Sequence, residues 1–257
     1  MGHDFETDNE ITVDATPQEV WAAIASGPGI DSWFMGRNEV EPRAGGATRM
    51  VLGDMFSVDG EVTAWEPPHR FATRSETARD GSFHAFEYLV QGRGQGSTAV
   101  RLVHSGFIGH EDWESEFNAL RAGDPMYLRT LGTYLTYFRG RTATPIGIFA
   151  PPQPDETTVW RGLLRGLGLG GAVAEGQPVR LTPPGSGVVA GVVDSVLEPT
   201  FLGVRTDDAL YRFVGRGGAI GVGHHVFAPV PEPAAAANAW YDWLVALYAD
   251  PDRPVTD

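Results

Sequence analysis

Alternation of apolar and polar side chains dominates residues 8–107 of the chain. The segments that alternate are "DNEITVD" (8–14), "GATRMVL" (46–52), "MFSVDGEVTAWEPPHRFATRSE" (55–76), "SFHAFEYLVQGRG" (82–94) and "STAVRLVHSGF" (97–107). Glycine-rich or charged stretches separate the later segments from one another. A period of two between such turn signals predicts antiparallel strands joined by hairpins. The glycines of "GRGQG" at 92–96 lie between two of these strands, so they predict a hairpin turn rather than a nucleotide loop.

A capped helix interrupts the strands early in the chain. Thr16 is a good N-cap, and Glu19 completes a capping box with it. Gly27-Pro28-Gly29 cannot continue the helix. A second short turn then carries Trp33 and Phe34. The segment therefore predicts two short helices separated by a break.

The pattern becomes helical from about residue 113 to residue 139. Leu128, Leu131, Leu135 and Phe138 recur at steps of three and four, which predicts one apolar stripe on a long helix. The predicted order is thus a strand, two short helices, a run of antiparallel strands and a long closing helix. This is an α+β fold in which a curved sheet wraps around the helix and leaves space between its concave face and the helix.

This order resembles that of a known family. The segments that carry the likeness are "ITVDATPQEVWAAI", "IDSWF", "VTAWEPPHRF", "FEYLV", "AVRLVHSGF" and the closing amphipathic helix, together spanning residues 5–140. They resemble the activator-of-heat-shock-protein-ATPase-homologue (Aha1-like) family of the START or birch-pollen-allergen-like superfamily, often labelled SRPBCC. The resemblance implies a helix-grip fold, an apolar cavity, and a position for the second tryptophan segment near the cavity mouth.

The second half of the chain repeats the first in weaker form. Five pairs of segments echo one another in the same order: "ITVDATP" and "IGIFAPP", "EVWAAIA" and "TVWRGLL", "AGGATRMV" and "EGQPVRLT", "EVTAWEPPHRF" and "VVDSVLEPTFL", "LVHSGFIG" and "VGHHVFAP". Trp240, Leu244, Leu247 and Tyr248 predict another closing helix. We therefore expect two tandem helix-grip domains, residues 1–141 and a smaller, degenerate 142–257. The alternative is one full domain followed by a partial, cap-like extension.

Composition and charge narrow the function. The formal net charge is −14, so general attraction to nucleic acid or anionic lipid is not expected. No apolar run is long enough to span a bilayer, and the acidic start "MGHDFETD" lacks a signal region, which predicts a cytoplasmic protein without membrane insertion. Cysteine is absent, which excludes disulfides and thiolate chemistry. All 19 basic residues other than histidine are arginines, which excludes a Schiff-base lysine.

His104 is the main candidate polar group. Alternation places it on the same face as Val100 and Leu102, the face predicted to point inward. It is either a buried histidine bonded to a carbonyl or hydroxyl, or a polar anchor inside a pocket. On the outer face, Glu87 and Arg101 are predicted to pair.

Other polar motifs predict little chemistry. The acidic run "GHEDWESE" at 109–116 is explained by an exposed loop and a helix N-terminus rather than by a metal site. His224 and His225 are adjacent on a strand and so point to opposite faces, and one of them is expected to mirror His104. No nucleophile motif or carboxylate pair demands catalysis, and no metal or cofactor is expected.

The predicted function is the binding of a hydrophobic or aromatic small molecule in a cavity of the first domain. Alternation selects three lining residues, helical phase selects three more, and the family resemblance implies the last three. The predicted lining is Phe86, Tyr88 and His104, then Tyr127, Leu131 and Tyr134, then Trp33, Phe34 and Phe56.

Two other functions remain open at this point. Relatives in the superfamily imply a polyketide cyclase or hydrolase that uses His104 with Tyr127 or Tyr134. The family name implies a chaperone-interacting module. We expect less support for that second role, because the strand around Ile11 begins almost at once and the separate amino-terminal domain of those activators is not expected.

Overall fold

The computed structural model of the chain forms two compact units, Met1–Thr142 and Ala143–Asp257, called here the first and second domains. It describes residues 2–53, 56–153, 155–185, 187–216 and 218–249.

The described residues of the first domain form seven antiparallel strands and three helices. In chain order they are β1 (His3–Val13), α1 (Pro17–Ile24), α2 (Gly27–Ile30), β2 (Arg37–Val40), β3 (Ala47–Leu52), β4 (Phe56–Glu66), β5 (Arg70–Ser75), β6 (Phe83–Gly94), β7 (Ser97–Ile108) and α3 (Trp113–Tyr137). The strands lie in the order β1-β7-β6-β5-β4-β3-β2. The first strand in the chain, β1, is therefore hydrogen-bonded to the last strand of this domain, β7. This is the helix-grip fold that the sequence predicts.

Local chemistry explains the two short helices. The Thr16 side chain accepts from the Glu19 amide and the Glu19 side chain accepts from the Thr16 amide, which confirms the capping box. Ser26 caps α2 in the same way through the Gly29 amide. Just after the break, the Trp33 indole donates to the Ala23 carbonyl oxygen at 3.0 Å. This bond ties the second tryptophan segment to α1 and holds it in place.

The core of the first domain lies between α3 and the concave face of the sheet. The predicted stripe on α3 is confirmed, because Leu128, Leu131 and Leu135 are all buried. Val100 and Leu102 on β7 are buried as well. The inward-facing set on β7 is therefore the one that alternation predicts.

One predicted contact on the outer face is wrong. Arg101 pairs with Asp8 of β1, with its Nε 2.7 Å from Asp8 Oδ1. Glu87 pairs instead with Arg70 of β5, whose Nε lies 2.6 Å from Glu87 Oε1. Both pairs are diagonal across adjacent strands: Arg101 lies opposite Glu10 on β1 and reaches Asp8, and Arg70 lies opposite Leu89 on β6 and reaches Glu87.

In the part of the second domain that the structure describes, there are six strands and two helices. They are β8 (Thr144–Phe149), α4 (Glu156–Gly166), β9 (Pro178–Leu181), β10 (Val189–Leu197), β11 (Phe201–Arg205), β12 (Ala209–Arg216), β13 (Ala219–Val226) and α5 (Pro233–Ala249). The sheet order is β8-β13-β12-β11-β10-β9. This is the order of the first sheet, and the described residues of the second domain include no counterpart of β2.

The two domains match in detail as well as in order. A β-bulge shifts the register between β4 and β5 at Val62–Ala64. A second bulge shifts the register between β10 and β11 at Val193–Ser195. These bulges fall at equivalent positions of the echo between "EVTAWEPPHRF" and "VVDSVLEPTFL". The chain therefore consists of two tandem helix-grip domains, and the alternative of a partial, cap-like extension is wrong.

We expect the connection between the domains to be the first site of limited proteolysis. The sequence predicts a cut between Gly140 and Asp155. Because β8 (Thr144–Phe149) is paired with β13 inside this range, the cut should fall on either side of the strand, at 140–143 after α3 has ended or at 150–153 beside two prolines. A fragment close to residues 1–140 should survive, because the first domain has its own sheet, closing helix and core. Mass spectrometry of the digest locates the cut, and circular dichroism of the isolated fragment tests its fold. An unfolded fragment would contradict independent folding.

Candidate functional site

Five aromatic side chains meet on the inner face of the first domain. We call Trp33, Phe34, Phe86, Tyr88 and Tyr127 the aromatic cluster. Its ring centroids are 5.5 Å apart for Trp33 and Phe34, 6.2 Å for Trp33 and Tyr88, 6.1 Å for Phe34 and Phe86, and 4.5 Å for Phe34 and Tyr127. Three elements supply these rings: the segment after α2, the strand β6 and the helix α3. The structure thus brings together five of the nine residues predicted to line a cavity.

The cluster has a buried side and an accessible side. Trp33 and Tyr88 are buried. Phe34, Phe86 and Tyr127 remain partly exposed although they contact one another or the buried rings. These three rings form the accessible side of the cluster.

Three further predicted residues have different surroundings. Leu131 is buried on α3, and Tyr134 is buried one turn later with its hydroxyl donating to the Arg141 carbonyl oxygen at 3.1 Å. Phe56 begins β4 and has 42% of its surface exposed. Within the described residues, no ring contact joins Phe56 to the aromatic cluster. The family resemblance alone had suggested Phe56, and its place at the start of β4 explains its exposure.

His104 is enclosed on every side. Its Nδ1 lies 3.1 Å from each carboxylate oxygen of Asp124 on α3, and both side chains are buried. The Thr7 hydroxyl donates a short hydrogen bond to the same carboxylate. Phe86 stacks on the imidazole with 4.0 Å between ring centroids, and Phe5 meets it edge-on at 5.2 Å. A ligand has no free nitrogen of His104 to bind, because the second one is also engaged.

The second nitrogen of His104 begins a row of polar side chains that leads outward. His104 Nε2 lies 3.0 Å from Nδ1 of His84, and His84 Nε2 lies 3.6 Å from Oε1 of Glu116. His110 Nε2 is 2.7 Å from the other oxygen of Glu116. We call Asp124, His104, His84, Glu116 and His110 the polar row. The exposed fraction of the side chain is 2% at His104, 29% at His84 and 40% at His110, so the row connects the interior with the surface.

Hydrogen-bond directions along the row follow from the carboxylate at its buried end. A carboxylate accepts, so His104 donates from Nδ1. The hydrogen bond between His104 Nε2 and His84 Nδ1 needs one donor and one acceptor, so only one of these two nitrogens carries a proton. Burial lowers the pKa of His84 and the neighbouring His104 lowers it further, while Glu116 and Asp124 act in the opposite direction.

Asp124 also acts on the aromatic cluster. Burial, together with the charge of Asp124, raises the pKa of both Tyr88 and Tyr127. Their hydroxyls therefore stay protonated and can donate hydrogen bonds. Within the part of the chain that the structure describes, no three His, Asp or Glu side chains are arranged to hold a metal ion.

Sequence reasoning missed Thr7, His84 and Asp124, although the patterns contained them. His84 is two residues before Phe86 on the same face of β6. Asp124 is three residues before Tyr127 and seven before Leu131, on the stripe that selected those residues. Glu116 was noticed and assigned to the first turn of α3, where it does lie. Its contacts with two histidines depend on tertiary structure.

The second domain carries a histidine at the equivalent position with other partners. His224 on β13 packs against Tyr211 and Phe213 of β12 and Trp240 of α5, with ring centroids 5.0, 5.1 and 4.5 Å away. Its Nδ1 accepts from the Arg212 amide at 3.0 Å, and among the described residues its Nε2 has no hydrogen-bond partner. Burial holds the pKa of His224 well below its usual value.

Comparison with known proteins identifies one family and several similar structures. The model of the family described as "Activator of Hsp90 ATPase homolog 1-like protein" matches residues 14–136. DynU16, from the dynemicin biosynthetic locus, is 18% identical with a TM-score of 0.45 and covers 95% of this chain and 96% of its own. The di-domain ARO/CYC protein BexL from the BE-7585A biosynthetic pathway is 12% identical with a TM-score of 0.47, and the coverage is 95% of both chains.

The Aha1 dimer from Colwellia psychrerythraea is 14% identical with a TM-score of 0.43, over 51% of this chain and 96% of that one. No curated protein sequence matches the chain. Among the described residues, none of the helices combines the length and the apolar character that crossing a membrane requires.

Thr7→Val tests the buried end of the polar row. The substitution keeps the shape of the side chain but removes a donor to a buried carboxylate, so it should lower the free energy of unfolding by about 1–3 kcal/mol. Thr12→Val on the same strand is the control, because Thr12 is exposed and its loss should cost less than about 0.5 kcal/mol. Urea unfolding measures both values. Equal effects at the two positions would contradict the assigned hydrogen bond.

Acid should destabilise the second domain through His224. The folded-state pKa lies below the unfolded value, so the unfolded chain binds more protons and the free energy of unfolding falls as the pH drops below about 6.5. His224→Phe should be less stable at pH 8 but show a smaller loss between pH 8 and pH 5.5. Hydrogen exchange of residues 209–226 follows this domain separately. An unchanged acid sensitivity in the variant would show that other groups cause it.

Proposed function

We propose that the first domain binds a hydrophobic or aromatic small molecule between its sheet and α3. Its residues 14–136 match the model of the Activator of Hsp90 ATPase homolog 1-like family. The observation that carries this proposal is the partial exposure of Phe34, Phe86 and Tyr127. These rings belong to the inner side of the fold, where a closed core would bury them completely.

The chemistry of the site favours a flat and uncharged ligand. Aromatic rings pair well with other rings in stacked or edge-on geometry, and the cluster supplies both faces and edges. Asp124 and Glu116 stand at its polar end, in a chain whose formal net charge is −14, so an anionic ligand would be repelled. A neutral aromatic molecule avoids that cost.

The expected affinity is moderate. A ligand that buries roughly 300 Å² of apolar surface gains roughly 7 kcal/mol. Loss of translational and rotational freedom removes several kcal/mol of this gain. The remainder corresponds to dissociation constants on the order of micromolar to millimolar.

Phe34→Ala should weaken the binding of a neutral aromatic probe. N-phenyl-1-naphthylamine is suitable, since its fluorescence rises in apolar surroundings. Removal of the ring that contacts both Phe86 and Tyr127 should raise the dissociation constant about tenfold. Phe107→Ala is the matched control, because Phe107 alternates with the buried Ile108 and faces the other side of β7. A probe that binds wild type and both variants equally does not occupy the aromatic cluster.

Leu131→Phe distinguishes a ligand site from a closed core. If space adjoins the buried Leu131, the larger ring should fill it, lower stability little and abolish probe binding. In a close-packed core the same change should cost roughly 1–3 kcal/mol through overpacking. Urea unfolding and probe titration of the same sample separate the two cases. Binding that persists unchanged, or a protein that no longer folds, would contradict a cavity beside Leu131.

A further inference from the structure

We propose that the ligand of the first domain is a neutral, elongated aromatic molecule of at least two rings, and that one of its rings occupies an open space beside Gly123 on α3. Gly123 is then a specificity-determining residue, because a larger side chain at this position would fill the space. This inference rests on the proposed binding function and adds to it the length of the ligand and the residue that selects for that length.

The space beside Gly123 is visible in the packing of α3. A Cβ atom added at Gly123 would have no atom of the sheet or of any other described segment within 4 Å. At Gly132, the other glycine of α3, an added Cβ would lie 3.7 Å from Ile11 Cδ1 and 4.0 Å from Val13 Cγ1. Gly123 is nevertheless partly buried. The helix therefore packs on the sheet at Gly132 but passes beside a gap at Gly123.

Helical phase shows which way the gap faces. Gly123 lies seven residues after Glu116 and four before Tyr127, so these three positions share one flank of α3. On this flank Glu116 faces His84, and Tyr127 packs on Phe34 with 4.5 Å between ring centroids. The gap therefore opens toward the part of the fold that carries the aromatic cluster.

Two side chains of the sheet remain partly exposed below this flank. His84 and Phe86 are neighbours on the inner face of β6. His84 faces Glu116, and Phe86 packs on Phe34 with 6.1 Å between ring centroids, so both lie below the stretch of α3 that contains Gly123. Their partial exposure, 29% for the His84 side chain, marks the lower side of the same gap.

Small residues continue the inner face of the sheet beyond His84. The Ser75 hydroxyl of β5 accepts from the His84 amide at 3.0 Å, and Gly60 of β4 is paired with Ser75. Val58 follows on β4, on the same face as the buried Val62 but with 37% of its surface exposed. A ligand that extends past the aromatic cluster therefore has room above two small residues and an apolar surface beyond them.

The length of the gap sets the size of the ligand. Leu120 precedes Gly123 on this flank and Tyr127 follows it, and the two are seven residues apart. Seven residues span about 10 Å along a helix axis. A ring placed midway lies roughly 5 Å from each side chain, within the distance at which aromatic rings pack. A single ring held by Phe34 and Phe86 leaves this space unfilled, so a second ring adds contacts.

The test compares a long and a short neutral probe on the full-length protein. N-phenyl-1-naphthylamine has one ring more than 1-naphthylamine, and both are fluorescent. Wild type should bind the longer probe about tenfold more tightly, because its extra ring buries apolar surface beside Gly123. Gly123→Leu should raise the dissociation constant of the longer probe about tenfold and that of the shorter probe less than about twofold, so that the preference for length is lost.

Two further variants control for effects on the helix. Ala122→Leu adds the same side chain at an exposed position of α3 and should leave both affinities unchanged. Gly123→Ala should raise the urea midpoint of unfolding, because alanine is the better helix former and its Cβ meets no described neighbour. A lowered midpoint would mean that α3 needs this glycine beside Pro125, and would overturn the open space.

The outcomes distinguish this inference from the binding function. If Phe34→Ala weakens binding of the longer probe but Gly123→Leu does not, the binding function stands and the role of Gly123 is overturned. Equal weakening of both probes by Gly123→Leu, or a variant that no longer folds, would overturn it as well. If neither probe binds wild type, the binding function fails and this inference fails with it.

Discussion

A buried carboxylate governs how the first domain is arranged. Asp124 is buried on α3, and the partners that the structure gives it are the Thr7 hydroxyl and the His104 imidazole. Burying a charge without hydrogen bonds is costly, so α3 must lie where β1 and β7 both reach this carboxylate. Apolar packing alone would tolerate small shifts of the helix along the sheet, whereas this pair of bonds does not. The position of Tyr127 beside Phe34, and of Glu116 beside His84, follows from the same placement of α3.

The two domains share one fold but differ in the polar residues around the equivalent histidines, His104 and His224. Both have a histidine on the last strand that faces the closing helix and packs against rings of the preceding strand. In the first domain its nitrogens meet Asp124 and His84, and the row continues to the surface. In the second, Ala209 stands where register places the counterpart of His84, and a backbone amide satisfies one nitrogen of His224. The first domain is therefore the one in which a polar path accompanies the aromatic rings.

Pattern analysis predicted which face of the sheet many residues of the first-domain site occupy. It did not predict which partners these residues contact. Alternation on β6 and β7 placed Phe86, Tyr88 and His104 on one face, where the structure has them. The same rule covers His84, but a histidine at the start of a strand gives no signal until its neighbours are known. The pairing of Glu87 with Arg101 was wrong, because each of them pairs with a residue of its other neighbouring strand. Phe56, suggested by family resemblance, lies at the start of β4 with 42% of its surface exposed. Alternation determines the face of a residue but not its partner, because the partner depends on the register between strands.

The sequence by itself determined the elements, their order and the duplication, because helix caps, turn residues and hydrophobic periods act over a few neighbouring residues. The capping box at Thr16, the stripe on α3 and the five echoed segments are of this kind. Tertiary structure alone decided that Asp124, His104, His84 and Glu116 form one row. These residues come from three elements and are separated by up to 40 positions in the chain. A hydrogen-bond network of this kind exists only when the helix lies on the sheet, because isolated segments leave each of its groups in water.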